Sequence, residues 1–96
     1  MRELSVEAVS RILKAEIAQG NPGHLSIGGI STDSRTVKAG DCFFAIAGER
    51  FDGHDHVADA FARGAVCAVV SGDVQAAGPV LKVQDTIIAL GDLARE

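Results

Sequence analysis

The residues of this 96-residue chain best suited to chemistry gather in two short polar stretches. The first is Thr32-Asp33-Ser34-Arg35. Its hydroxyls, backbone N–H groups and guanidinium suit a phosphate or pyrophosphate, because arginine offers paired donors to an oxyanion. The same residues also make an Asx or ST turn with a local Asp33–Arg35 pair, and spacing alone favours that plainer arrangement. The second stretch, at 48–54, reads Gly-Glu-Arg-Phe-Asp-Gly-His. Its glycines let backbone approach a ligand closely. Phe51 can cover a planar base or sugar face, or it can tuck under its own loop as a satellite of the core.

Other reactive side chains carry less. Asp52, His54, Asp55 and His56 are dense enough to suggest a metal. Yet the two histidines, two positions apart at the start of a helix, do not face the same way, and capping by Asp52 or Asp55 explains the acids more simply. His24 reads as a loop residue. Cys42 and Cys67 lie in apolar runs and match neither a zinc spacing nor a disulfide framework, so they read as reduced, buried thiols. No phosphate loop, nucleophile elbow, dinucleotide fingerprint or Cys-x-x-Cys is present. Nothing pairs a nucleophile with a base. The residues describe a binding module with no catalytic group and no metal site.

The elements that position these stretches follow from spacing. Ser5 is a helix N-cap, with Leu4 and Val9 as a hydrophobic staple. Val9, Ile12, Leu13 and Ile17 share one face, and the pattern breaks at Gly20-Asn21-Pro22-Gly23. Leu25, Ile27 and Ile30 predict one short strand, with a bulge or close backbone approach at Gly28-Gly29. The runs at 42–47 and 65–70 are apolar on both faces and predict buried strands. Between them Val57, Ala60 and Phe61 mark a helix closed by Gly64. A fourth strand at 80–83 precedes a helix capped by Asp85 and carrying Ile87, Leu90 and Leu93. The fold class is therefore α/β, a small, mixed, largely buried sheet flanked by helices, with a β-α-β crossover from Phe44 to Val66.

Composition narrows the function. Nine Lys and Arg stand against thirteen Asp and Glu, a net charge of −4. That balance disfavours a nucleic-acid surface, which needs clustered cations. Aromatic residues make up 4% of the chain, too few for base-stacking platforms. Hydrophobic residues make up 47%, which supports one folded domain rather than disorder. No apolar run approaches the ~20 residues of a membrane span, and no secretion leader stands at Met1. The last helix carries no stop at 94–96, which suggests a chain that continues in a longer parent.

From Ile30 to Val57 the order Asp33-Ser34-Arg35, Gly40-Asp41-x-Phe43-x-Ala45, Gly48-x-x-x-Asp52-Gly53-His54 resembles the amino-terminal domain of the Mur ligases. Ala60-x-x-x-Gly64-Ala65 and the tail from Val83-Gln84-Asp85-Thr86 to Ala94 extend the likeness over most of the chain, most weakly before Leu25. Cys42 stands where the family more often has an aliphatic residue. The resemblance implies that residues 1–96 form a single domain of a larger cytoplasmic ligase of peptidoglycan synthesis, tied to cell-wall biogenesis, cell shape and division. This domain would hold the UDP end of a UDP-N-acetylmuramoyl-peptide. A central domain would bind ATP and Mg²⁺, and a third would help bring in the amino acid or dipeptide. The peptide carboxylate would become an acyl phosphate, which the incoming amine attacks.

By the same resemblance Thr32 and Ser34 flank the uridine diphosphate, Ser34 gives a phosphate hydrogen bond, and Glu49, Arg50 and Phe51 form the facing loop. Arg35 either adds charge or only pairs with Asp33. The 51–54 and 85–86 residues tilt the likeness towards the branch that adds D-alanyl-D-alanine to the UDP-tripeptide, over the sister branch that adds the third amino acid. With no ATP site in these residues, the chain alone is expected to be inactive as a ligase. The rival readings are a stand-alone interaction or regulatory module on the same fold, and a structural domain whose ligand site has decayed.

Overall fold

The computed structural model describes residues 4–20, 25–46, 52–74, 76 and 78–95. Ser5 caps the first helix as expected, its hydroxyl accepting the Ala8 N–H at 3.0 Å. A two-residue strand β1 (Leu4–Ser5) leads into α1 (Val6–Leu13), which buries Val6, Val9 and Leu13. The helix does not continue to Ile17. Lys14 turns left-handed at φ 53°, and the N–H groups of Lys14 and Ala15 close the end on the carbonyls of Arg11 and Ser10. The chain then forms β2 (Glu16–Gln19), antiparallel to a later strand with Ile17 opposite Leu81. Ile17 fits the helical period and a strand equally well. The sheet edge decides between them, and its ladder offsets the roughly 1–2 kcal/mol that a non-glycine residue pays in the left-handed region.

The strand expected over 25–30 is two strands in two sheets. β3 (Ser26–Ile27) pairs antiparallel with β1, and β4 (Gly29–Ser31) pairs parallel with β5 (Asp41–Phe44). Gly28 joins them. The close approach expected here falls at Gly29, where a Cβ would stand 2.8 Å from the Asp41 carboxylate. After β5 come α2 (Val57–Ala62), β6 (Cys67–Val70), β7 (Val80–Lys82) and α3 (Thr86–Ala94). The main sheet runs β2-β7-β6-β5-β4, with β2 alone antiparallel. The expected mixed α/β sandwich is therefore present, with α2 crossing between parallel β5 and β6.

Both faces of the sheet are covered, which is why its central strands read as unbroken apolar runs. Cys42, Phe44, Cys67, Val69 and Leu81 pack with α1 and α3 on one face. Phe43, Ala45, Ala68, Val70 and Val80 pack with Val57 and Ala60 of α2 on the other. Gly64 ends α2 at φ 114°, where a side chain would also strike the Ala39 backbone at 2.9 Å. Cys42 and Cys67 are free, buried and side by side in register. Their mutual hydrogen bond, and then burial, push the Cys42 thiol upward.

α3 is capped as expected, the Asp85 carboxylate accepting the N–H groups of Ile87 and Ile88 at 2.8 and 3.1 Å. Its buried row differs from the expected Ile87, Leu90, Leu93. Thr86, Ala89 and Leu93 face inward, while Ile87 is 61% exposed. The first turn of α3 points its inward side through Thr86, so the next residue must turn outward.

Candidate functional site

Parallel strands β4, β5 and β6 end at one edge of the sheet, the side on which α/β folds bind ligands. The stretch after β4 becomes a 3-10 turn, Ser34–Thr36, capped by Asp33. Ser31, nearly buried at the end of β4, sets up this turn: its hydroxyl donates to the Asp33 carbonyl at 2.9 Å and accepts the Asp33 N–H at 3.3 Å. The Asp33 carboxylate accepts the Arg35 N–H at 2.9 Å and is gripped by the guanidinium, with Nη2 to Oδ2 at 2.8 Å and Nε to Oδ1 at 3.1 Å. Arg35 is thus committed to Asp33, although its side chain is 82% exposed. The guanidinium first, and the Arg35 N–H second, hold the Asp33 carboxyl at about 2.

The three described candidates in this stretch have different surroundings. Thr32 is exposed and lines an open cleft of about 550 Å³ with Gly28, Gly29, Ile30, Ser31, Thr36, Lys38 and Asp41. Ser34, although it belongs to a polar turn, is only 3% exposed. Its hydroxyl has no hydrogen-bond partner among the described residues. Arg35 points its charge back into its own turn. Lys38, which the sequence marks only as part of a turn, is the cation of the cleft, and its ammonium has no ion-pair partner among the described residues. The sequence does carry a signal for it: a cation two positions before Gly40-Asp41, whose carboxylate accepts the Lys38 N–H at 2.9 Å.

Glu49, Arg50 and Phe51 lie outside the described residues. The residues on either side of that segment are fixed. Gly53 N–H donates to the Ile46 carbonyl at 2.9 Å, and a Cβ on Gly53 would stand 2.8 Å from the Ile46 nitrogen. A second 3-10 turn, Gly53–His56, is capped by Asp52, so Asp52 caps this turn rather than α2 itself. Asp52 Oδ1 accepts the His54 N–H at 2.9 Å and meets His54 Nδ1 at 2.7 Å. These two contacts, the backbone one first and the ring second, lower the Asp52 pKa. His54 Nε2 accepts the Ser71 N–H at 3.0 Å, with Ser71 Oγ at 3.4 Å. Asp52, His54 and Ser71 thereby have the order of a catalytic triad without its function. The imidazole lone pair that would take the hydroxyl proton is already held by the Ser71 amide.

Among the described residues no three His, Cys, Asp or Glu side chains converge to hold a metal, and no helix is long and apolar enough to cross a membrane. The open cleft along β4 offers the Thr32 side chain at one end and the Lys38 ammonium beside the start of β5 at the other, with Thr36 between; Ser34 does not line it. The cleft can bind an oxyanion; among the described residues no group is placed to break a bond.

Comparison with known proteins identifies the fold. A family model described as Mur ligase family, catalytic domain, matches residues 26–96. The UDP-N-acetylmuramoyl-tripeptide--D-alanyl-D-alanine ligase of Haemophilus influenzae is 35% identical over 96 residues, 99% of this chain and 21% of its own. The UDP-N-acetylmuramoyl-L-alanyl-D-glutamate--2,6-diaminopimelate ligase of Aquifex aeolicus is 48% identical over 68 residues, 71% of this chain and 14% of its own. A crystal structure of MurF from Acinetobacter baumannii matches with a TM-score of 0.88 at 33% identity, covering 97% of this chain and 20% of that one. The chain thus spans about a seventh to a fifth of the length of these relatives. Its five-stranded mixed sheet is the one found in MurF, and the chain belongs to the Mur ligase family.

Proposed function

We propose that this chain is the nucleotide-binding domain of a cytoplasmic ligase of peptidoglycan precursor synthesis. It holds the UDP end of UDP-N-acetylmuramoyl-tripeptide while the remaining domains of the same enzyme add D-alanyl-D-alanine. The observation that carries this reading is Ser34, in the turn that follows β4: the residue is only 3% exposed, its hydroxyl has no hydrogen-bond partner among the described residues, and, since no buried side-chain oxygen there lacks a partner, that hydroxyl opens to the surface. A diphosphate supplies acceptor oxygens for that hydroxyl, for Thr32 and for N–H groups of the turn. Lys38 supplies charge at the cleft. Arg35 acts through the shape of its turn, because its donors are taken by Asp33. Glu49, Arg50 and Phe51, which lie outside the described residues, are taken as the facing loop on the family resemblance alone.

ATP and Mg²⁺ do not fit the residues present. The 96 residues contain no phosphate loop, and no acidic cluster among the described residues is arranged for a metal. Both are therefore assigned to the rest of a longer enzyme. The tripeptide branch is favoured because its Haemophilus member matches 99% of the chain. The sister branch has its own support in the 48% identity of the Aquifex protein over a shorter stretch. Ligation assays on the full-length enzyme separate the two, by D-alanyl-D-alanine against diaminopimelate as the incoming group.

An amide-shift titration of the chain with UDP, then with UDP-N-acetylmuramic acid, tests the binding itself. Shifts centred on Thr32, Ser34 and the 46–54 region are expected, with affinity in the micromolar-to-millimolar range, roughly −4 to −8 kcal/mol. No shift at millimolar ligand, in this chain and in the full-length enzyme alike, would overturn the reading.

A further inference from the structure

We propose that the crevice between the ends of β6 and β7 is a second subsite, which takes an uncharged, hydroxyl- or amide-bearing group of the nucleotide sugar; this rests on the UDP-binding reading above. The two strands part after a last bond, from the Val83 N–H to the Val70 carbonyl at 2.8 Å. Their chains then leave to opposite faces of the sheet. Val74 and Ala76, on the way from β6, pack on the face that carries α2, whereas α3, after β7, buries Ala89 and Leu93 on the other. Neighbouring parallel strands whose connections part in this way open a crevice at their carboxyl ends, and α/β sheets bind ligands there. Here the crevice measures about 170 Å³ and is lined by Ser71, Gln84, Asp85, Thr86 and Ile87. That volume takes one group of a larger ligand, not the whole of it.

Thr86 points to a ligand. The residue is only 5% exposed, and its hydroxyl has no hydrogen-bond partner among the described residues. Since no buried side-chain oxygen there lacks a partner, that hydroxyl opens to the surface, at the crevice that Thr86 lines. Charge decides the kind of group. The N–H groups of Ile87 and Ile88, which at a bare helix start would hold an anion, are taken by the Asp85 carboxylate. Among the described residues no Lys or Arg lines the crevice, and the nearby Lys82 ammonium is held by Asp73 at 2.8 Å. A phosphate is repelled here. A hydroxyl or amide can accept from Thr86 and donate to Asp85 or Gln84. Ile87, exposed at the rim, offers an apolar flank to a ring. Strands about 4.8 Å apart put the crevice roughly 12 Å from the end of β4. A nucleotide sugar with its diphosphate at Ser34 can therefore reach it with its base or with its sugar.

The experiment is an amide-shift titration with UDP-N-acetylmuramic acid, UDP and inorganic pyrophosphate, on the chain as wild type, Thr86→Val and Thr86→Ser, each checked for a cooperative thermal melt. UDP-N-acetylmuramic acid is expected to shift Ser71, Gln84, Thr86 and Ile87 together with Thr32 and Ser34, and pyrophosphate only the last two. Crevice shifts with UDP as well assign the group to the base; crevice shifts with the sugar nucleotide alone assign it to the sugar. Valine keeps the shape of threonine without its hydroxyl. Thr86→Val is expected to bind the ligand that reaches the crevice about tenfold more weakly, and Thr86→Ser to stay within about twofold of wild type, the scale of one well-placed hydrogen bond. Thr86→Val binding as tightly as wild type would overturn the proposal and leave the UDP reading standing. So would crevice amides that stay still while Thr32 and Ser34 shift, or that pyrophosphate itself shifts. Failure of the wild type to bind either nucleotide, in this chain and in the full-length enzyme, would overturn both. Should Thr86→Val not fold, Gln84→Ala carries the test on an exposed side chain: affinity is expected to fall by about threefold, and unchanged affinity would overturn the proposal.

Discussion

Asp33 and Asp52 each cap a 3-10 turn at the same edge of the sheet, and each accepts the N–H of the residue two positions on at 2.9 Å. Each carboxylate also takes that residue's side chain, Arg35 in one turn and His54 in the other. The turns differ in what the far end of that side chain meets. The Arg35 guanidinium folds back on Asp33 and meets nothing beyond it but solvent, so its turn is a closed local ring. His54 ends on the Ser71 amide and ties two strands together. The residue after each cap differs in the same sense. Ser34 keeps a hydroxyl, whereas Gly53 has room for none, because Ile46 and Ala45 backbone lies within 3.0 Å of where a Cβ would stand. One device thus serves as a presenting turn in the first case and as a structural joint in the second.

The largest expected effect lies beneath both turns. Phe44 is fully buried among α1, α3 and the sheet. Phe44→Ala should cost about 3–5 kcal/mol, read by urea unfolding. Both turns should loosen together, seen as faster amide exchange at Arg35 and His54. A variant that melts like wild type would mean that the turns do not share a common floor.

The next test separates the joint from the presenting turn. Gly53→Ala forces a methyl against backbone and should destabilise by about 1–3 kcal/mol. Ser34→Ala removes a hydroxyl with no partner among the described residues, so its stability should change by less than about 0.5 kcal/mol. Its UDP affinity should instead fall by about tenfold if that hydroxyl meets a phosphate. Thermal melts and the UDP titration read the two variants side by side. The opposite pattern, a stable Gly53→Ala and a collapsed Ser34→Ala, would reverse the assignment of roles.

The same contrast explains what is legible in the sequence. Asp33-x-Arg35 is local, so its pair follows from spacing. The link from His54 to Ser71 requires β5 and β6 to be neighbours, and no spacing rule reports that. The buried strands β5 and β6 announce themselves through apolar runs, and the caps Ser5 and Asp85 through their place before a helical period. The strands at the margins do not. β1, β3 and β2 have two, two and four residues, too short to show a period, and each depends on a partner distant in sequence. Ile17 passes for a helical residue for that reason. Ser34 reads as exposed because a polar turn usually is. The turn packs beside α2, from which it is separated in sequence by a strand and a loop, and no local pattern reports that neighbour.

The smallest expected effect is the titration of the presenting turn. Arg35 holds the Asp33 carboxyl at about 2, below its ordinary 3.8. A carboxyl lowered in the folded state stabilises it when ionised. That contribution is complete above the ordinary value and is lost as pH falls from about 4 to about 2. Because the pair is solvent-exposed, its effect on unfolding should be slight, and the carboxyl itself is the better reporter. A ¹³C titration should place the Asp33 midpoint near 2 and return it towards 3.8 in Arg35→Ala, with the melt nearly unchanged. UDP binding to Arg35→Ala should weaken less than binding to Ser34→Ala, since the guanidinium is spent on its own turn. A larger loss for Arg35→Ala would show that the guanidinium leaves Asp33 for the diphosphate, and the turn would then be a switchable ligand rather than a closed ring.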